Sequence, residues 1–528
     1  MQVADLDHLG IIDQMGLEAR TNACLGQHPQ QIVSPGQGLK AMILNGLGFV
    51  SAPLYLYEGF FLGKATSHLL GTGIEPQHLN DDTLGRLLDK VWDYGASELF
   101  SLIAMDAYRA FGLNAHRYHL DSSSFNVHGT YEASASEKSE GCIEITYGHS
   151  KDHRPDLKQF MVEMVCSNDG AVPLAFQVAS GNQSDKAVFA QRLKAFAEQW
   201  DVDGMLVADA ALYSADNLSE LGKLRWITRV PLTLSSAQDL VRDLSSDAFV
   251  ASTHKGYRFS SVCSTYGGVK QHWVVVENQA RVDSDRQQVD KQVEKHRQRA
   301  EKQWRTQQRT DFSCPDDALT QARKVAQSWR YHALAKLTVV KQAHHEKSGR
   351  PKKGAVPTHW RYRAMATVVT DERAIEGAKR KAGRFILATN VVDDPDVTAE
   401  RILRDYKGQQ APERGFKMLK DPLFFTSSVF LKTPKRIAAL ATIMGLSLMV
   451  YTLAQRQLRK ALAKANDTVL DQRKQPTSNP TMRWIFQCFQ AVHLVYLYGN
   501  AHVSNLTPQR LKVLSFLGAS CQKYYLTG

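Results

Sequence analysis

Three acidic residues stand where the chain pattern could hold a carboxylate still. Asp121 follows the alternating run HRYHL, Asp209 closes the apolar run GMLVA, and Glu413 lies in DYKGQQAPERGFKMLKD among Lys407, Arg414, Lys417 and Lys420. Three convergent carboxylates would suit Mg²⁺, a hard cation that takes oxygen ligands and shares them with water and phosphate. Two such ions would clamp the attacking and leaving oxygens of an in-line phosphoryl displacement. Each acid also has a plainer reading. Asp121 precedes SSS and could form a turn at a strand end, Asp209 precedes AALYS and could cap a helix, and Glu413 could pair with Lys417 at i+4 on a solvated face.

If the acids are to meet, strands and one helix must bring them together. From about residue 115 the periodicity is that of strands: HRYHLDSSSFNVHG, then CIEITYGHS, then QFMVEMVCSNDGAVPLAFQVA with SNDG as a hairpin turn. Short connections between them predict an antiparallel meander. The helix DKAVFAQRLKAFAEQW follows, then the strand GMLVADA, a second helix from about 214, and the strand LRWITRVP. This βββαβαβ order is that of a ribonuclease-H-like α/β core, in which the first and fourth strands are neighbours. A later helix crossing the sheet would deliver Glu413.

The expected organisation has five parts. Residues 1–112 read as a helical N-terminal domain for DNA-end binding or dimerisation, net acidic by six charges over the first hundred residues. Residues 113–231 form the first part of the core. Residues 232–395 read as a mixed β/helical insertion, with strands YRFSSVCSTY, HWVVVEN and RFILATN, helices over 282–309 and 315–332, and a strand pair around SGRPKKG. Within it, residues 281–363 carry a net charge of +11. Residues 396–455 return to the core with the Glu413 helix, and residues 456–528 form a basic helical tail.

Tyr406, Gln409, Glu413 and Lys420 stand at the spacing of a Y-(2)-R-(3)-E-(6)-K signature. With YGHSKDHRPDLKQF, ADAALYSADNL, WITRVP, GFKMLKDP and NPTMRWIF, the order resembles a class of bacterial insertion-sequence DDE transposases that carry a β-rich insertion. The resemblance runs over about residues 5 to 500. It implies that Asp121, Asp209 and Glu413 bind catalytic Mg²⁺ or Mn²⁺, two ions in all, and that Tyr406, Gln409 and Lys420 contact DNA phosphates. It further implies metal-dependent cleavage at element ends followed by strand transfer, double-stranded DNA with terminal inverted repeats and target DNA as partners, and a homodimer that pairs two ends. Two departures stand out: Gln409 replaces the signature Arg, and Pro412 sits next to Glu413, where it either kinks the helix or marks a restart at a first turn. They keep open the alternative of a catalytically decayed or domesticated DNA-binding protein with the same fold.

Bulk properties agree with a DNA partner. The chain has 528 residues, a formal charge of +12 and 43% hydrophobic residues, an ordinary folded composition with a basic excess. Seven cysteines without a C-x-x-C pair suggest reducing cytoplasm, and the start MQVADLDHLG shows no export signal; the resemblance further implies a bacterial, nucleoid-associated location. The apolar run 437–454 is long enough to span a bilayer, yet both flanks are basic, so a buried core helix and no membrane association are expected. Arg350, Lys352 and Lys353 in SGRPKKG read either as a minor-groove hook or as a basic turn. Trp304, Trp329, Tyr331, Trp360 and Tyr362, interleaved with cations, could stack on bases or simply pack. His119, His128, His149 and His153 offer a weaker metal reading, since alternation would scatter them over two faces. GFFLGKAT lacks phosphate-loop spacing.

Overall fold

The computed structural model describes residues 6–47, 56–131, 142–344, 356–421, 431, 433–498 and 500–526. Helices come first: α1 (Leu6–Gln14), α2 (Leu17–Leu25), α3 (Pro35–Leu47), α4 (Tyr57–Phe61), α5 (Thr66–Leu70), α6 (Asp81–Tyr94) and α7 (Ala96–Ala110). Asn80 opens α6 by accepting the Thr83 amide, which satisfies one of the free donors at that helix start.

The chain then enters a nine-stranded mixed sheet of order β3-β2-β1-β4-β5-β11-β8-β7-β6. Strand β1 (Arg117–Val127) pairs antiparallel with β2 (Lys158–Ser167), and β2 with β3 (Pro173–Ser180). Helix α8 (Asp185–Trp200) carries the chain to β4 (Met205–Ala208), parallel to β1, and α9 (Ala215–Glu220) to β5 (Trp226–Val230), parallel to β4. A meander extended by two parallel strands is the ribonuclease-H-like arrangement that the βββαβαβ order predicts.

One strand expectation changes. CIEITYGHS forms no ladder; it touches the sheet through a single bridge, Thr146 to Gln159. Strand β2 already has β1 and β3 as partners, so the segment that precedes it cannot pair along β2 as well. The segment instead closes over the end of β2, with Ile143 and Ile145 buried and the Glu144 carbonyl accepting the Gly181 amide at 2.9 Å.

After α10 (Ser235–Asp243) come β6 (Val250–Ala251) and the hairpin β7 (Tyr257–Tyr266) and β8 (Val269–Asn278). Next are α11 (Gln279–Gln307) and α12 (Pro315–Gln327), which pack with the ribbon of β9 (His332–His344) and β10 (His359–Thr370) around Trp304, Ala318, Ala322 and Ala364. Helix α13 (Glu372–Arg380) leads to β11 (Arg384–Thr389). YRFSSVCSTY, HWVVVEN and RFILATN, grouped with the insertion in the sequence, therefore lie inside the main sheet as β7, β8 and β11, with β11 antiparallel to both β5 and β8.

Helices α14 (Ala399–Lys407), α15 (Gln410–Leu419), α16 (Pro434–Ala465), α17 (Met482–Phe489) and α18 (Pro508–Leu517) complete the part used below. The most apolar 18-residue window of α16 is 94% buried inside the protein. Its basic flanks are tied to acids: Arg436 to Asp89 of α6 and Arg456 to Asp169. It is thus the shared core helix between the N-terminal helices and the sheet.

Candidate active site

Strand register brings the first two acids together. Leu120 of β1 pairs with Ala208 of β4, so the next residues, Asp121 within β1 and Asp209 just past the end of β4, follow matched positions on parallel strands that run about 4.8 Å apart. The Asp121 carboxylate accepts the Ser122 amide at 2.8 Å. Asp209 caps a short 3₁₀ turn, Ala210–Leu212, by accepting the Ala211 amide at 2.9 Å. The capping reading of Asp209 is thus realised, and it coexists with the position beside Asp121.

Glu413 stands on α15, exposed, near enough for its charge to act on Asp121. Among the described residues Glu413 forms no ion pair with Lys417. The backbone leading to it is two helices rather than one. Gly408 and Gln409 keep helical dihedrals, but their amides reach back three residues, to Asp405 and Tyr406, and Ala411 donates to Gly408 at 2.8 Å. Pro412 falls in the first turn of α15, where no amide is required, so it marks a restart and removes no interior hydrogen bond.

Electrostatics separate this site from ordinary surface acids. Burial pushes the Asp121 carboxyl up to about 7, opposed by Lys151 and the Ser122 amide and reinforced by Asp209 and Glu413. Burial also raises Asp209, against the Ala211 amide, Lys151 and Arg229. The Tyr406 hydroxyl, at the end of α14, is pushed up to about 12, first by burial and then by the charges of Asp209, Glu413 and Asp121, with Arg229 acting the other way. Tyr406 therefore lies close enough to the three acids to feel their charge.

Two charged residues here were not singled out from the sequence. Lys151 places its ammonium 2.7 Å from both the carbonyl and the hydroxyl of Ser122 and 3.1 Å from Asp185, at the start of α8. Arg229 lies on β5. Lys151 sits inside the quoted YGHSKDHRPDLKQF run, but nothing in spacing alone says that its ammonium folds back onto the Asp121 strand.

Gln409 is placed differently from a DNA contact. It is buried, its amide donates to the Leu120 carbonyl at 2.6 Å, and its oxygen lies 3.3 Å from His119 Nδ1. Both polar atoms are engaged by β1, so as placed it fixes α15 against the Asp121 strand and presents nothing to a phosphate. Burial lowers His119 to about 4, so the ring is neutral. Lys420 ends α15 with its ammonium 2.7 Å from both oxygens of Asp152. Arg350, Lys352 and Lys353 lie outside the described residues. Of the aromatic group, Trp304 and Tyr331 are buried, while Trp360 is exposed with Lys341 over its ring.

Among the described residues no three His, Cys, Asp or Glu side chains converge closely enough to hold a metal ion, the four histidines included. Asp121 and Asp209 nevertheless fit one. A Mg²⁺ site needs only one or two carboxylates when water and substrate phosphate complete the shell. Two partly buried carboxylates that share a single ammonium are a hard-oxygen donor set short of positive charge.

Comparison with known families gives two matches. A model described as "Transposase DDE domain" matches residues 118–453, and one described as "Domain of unknown function (DUF4277)" matches residues 1–105. Among solved structures the chain is similar to a piggyBac transposase in a synaptic complex with hairpin DNA, at 9% identity and a TM-score of 0.40, over 98% of this chain and 80% of that one. No curated protein matches significantly.

Proposed function

Since the chain belongs to the transposase DDE domain family and is a DDE transposase, we propose that it serves a bacterial insertion sequence of the class with the Y-R-E-K signature. The observation that supports this best is the Leu120–Ala208 register, which sets Asp121 beside Asp209 under the helix bearing Glu413. In this reading Asp121 and Asp209 hold divalent metal, and Glu413 completes the site from the exposed side when DNA is bound. Mg²⁺ or Mn²⁺, two ions in all, would supply Lewis-acid polarisation of the scissile phosphodiester and offset its charge.

The chain's own groups then orient the reaction. Tyr406 offers a protonated hydroxyl beside the acids, and Lys420 exchanges Asp152 for a DNA phosphate. Water attacks a phosphodiester at the element end, and the freed 3′-OH attacks a second one. Terminal inverted repeats, target DNA, a homodimeric synaptic complex and a cytoplasmic, nucleoid-associated location belong to the same proposal. So does the division into residues 1–112 for end binding or dimerisation, 113–231 and 396–455 as catalytic core, 232–395 as insertion, of which β6, β7, β8 and β11 extend the core sheet, and 456–528 as tail. Pro412, at a first turn, gives no support to the decayed alternative.

The test uses duplex DNA bearing the repeats that flank the coding sequence. Asp121→Asn, Asp209→Asn and Glu413→Gln are each expected to abolish strand cleavage while retaining end binding in a mobility-shift assay. Substantial cleavage by any one of them would remove that residue from the site.

A further inference from the structure

Helix α15 has a second face that borders open space. Ala411, Gly415 and Met418 recur at i, i+4 and i+7, a stripe turned away from Glu413. This stripe and α16 border an open cleft of about 900 Å³ that includes none of the three acids. Its floor is apolar and aromatic, from Met418, Leu448 and Tyr451. Gly415 makes the close helix approach feasible, since a Cβ there would come within 3.0 Å of Leu448 and 2.9 Å of Met164.

The rim carries an excess of positive charge. Arg414 and Lys417 from α15, Arg456 and Arg459 from α16 and Arg483 from α17 line the cleft, against one lining acid, Asp421, among the described residues. Arg456 is fully engaged by Asp169 and the Phe111 and Gly112 carbonyls, and Arg483 reaches Asp421 at 2.7 Å. The others have no acid beside them among the described residues. There Arg459 bonds only to the Pro480 and Asn479 carbonyls, and its guanidinium is destabilised by burial and, against the opposing effect of Tyr451, by Arg414. Arg414 and Lys417 have no acidic partner among the described residues. Two guanidinium groups that line one cleft beside an apolar wall favour an anion with a flat apolar part.

We propose that this cleft binds one nucleotide unit, its phosphate held by Arg414 and Arg459 and its base laid on Met418 and Tyr451. The unit is either a residue of a DNA strand passing the back of α15 or a free nucleotide; both present the same chemistry. The site does not depend on the roles of Asp121, Asp209 and Glu413, so its failure would leave the transposase reading untouched.

The test is fluorescence anisotropy of the full-length protein with a labelled thymidine octanucleotide, an abasic chain of equal length, and dTMP or pyrophosphate as competitors. Arg459→Ala and Arg414→Ala are expected to weaken octanucleotide binding about tenfold each, the order of one charge-assisted contact. Arg305→Ala, an equal charge loss on the exposed face of α11, should change it less than about twofold. Competition by dTMP that disappears in Arg459→Ala would assign the cleft to free nucleotide, and octanucleotide binding without dTMP competition would assign it to a strand. Equal losses in all three variants, equal affinity for the abasic chain, or displacement by pyrophosphate alone would overturn the proposal. Arg414 is exposed, so its variant carries the test even where Arg459→Ala fails to fold.

Discussion

Asp121 in the core sheet and Asp311 beside the β9–β10 ribbon carry the same side chain in opposite electrostatic states. Asp311 is gripped by Arg361 and Arg363 of β10 and is lowered below the usual carboxylate range. Asp121 is enclosed by the sheet, shares one ammonium with two other acids, and is raised to about 7. The ribbon therefore uses an acid to offset its own cations, while the core withholds that compensation. A carboxylate kept short of positive charge is poised to accept a cation from outside, and a paired one is not.

Substitution breaks this comparison most sharply. Asp121→Asn should lower strand cleavage by about a thousandfold or more, the order expected when one member of a catalytic unit is lost. Asp311→Asn should leave cleavage within about threefold, since a partly exposed ion pair contributes little. Comparable losses for both, in the same cleavage assay, would erase the distinction.

Acidity gives the next largest effect, with opposite signs at two positions. A folded Asp121 keeps its proton up to about pH 7, whereas the unfolded group loses it near 3.8. Its contribution to stability therefore falls as pH rises from about 4 to 7, by an order of a few kcal/mol in metal-free protein. Asp121→Asn should remove that slope in denaturant melts and raise stability at pH 7. Glu277, lowered by its bonds to Arg258 and Arg384, behaves in the other sense. Its contribution is present above about 4.5 and is lost on acidification below that, so Glu277→Gln should flatten the acid limb of the same profile.

Smaller effects probe how the Glu413 helix is held. Gln409→Ala leaves the Leu120 carbonyl without its donor and should cost about 1–3 kcal/mol. Cleavage should fall while DNA binding is kept, because α15 loosens against β1. Loss of DNA binding alone would instead restore a phosphate-contact role to Gln409. Pro412→Ala should be close to neutral, within about 1 kcal/mol in a thermal melt, because a first-turn proline replaces no hydrogen bond. A large change there would mean that the two helices act as one continuous rod.

Much of this was legible in the chain. Strand alternation, the apolar run before Asp209 and the helix around Glu413 follow from local periodicity, and local periodicity survives folding because buried faces must be continuous. The order of elements then fixed which strands could be neighbours. CIEITYGHS was misleading for the same reason: it has strand alternation, but partner availability is not a local property.

Tertiary structure decided the rest. Asp121 and Asp209 are 88 positions apart in the sequence, and only the parallel register makes them adjacent. Lys151 approaches them because its loop folds over Ser122 and Ser124. Gln409, which the family resemblance puts at a DNA-contacting position, is turned inward because β1 offers a carbonyl and a histidine at the helix junction. The sequence by itself determined the residue types able to bind metal and DNA and the elements that carry them. Charge balance at each acid came from long-range packing, since burial and neighbouring charge are properties of the folded surface and not of the chain.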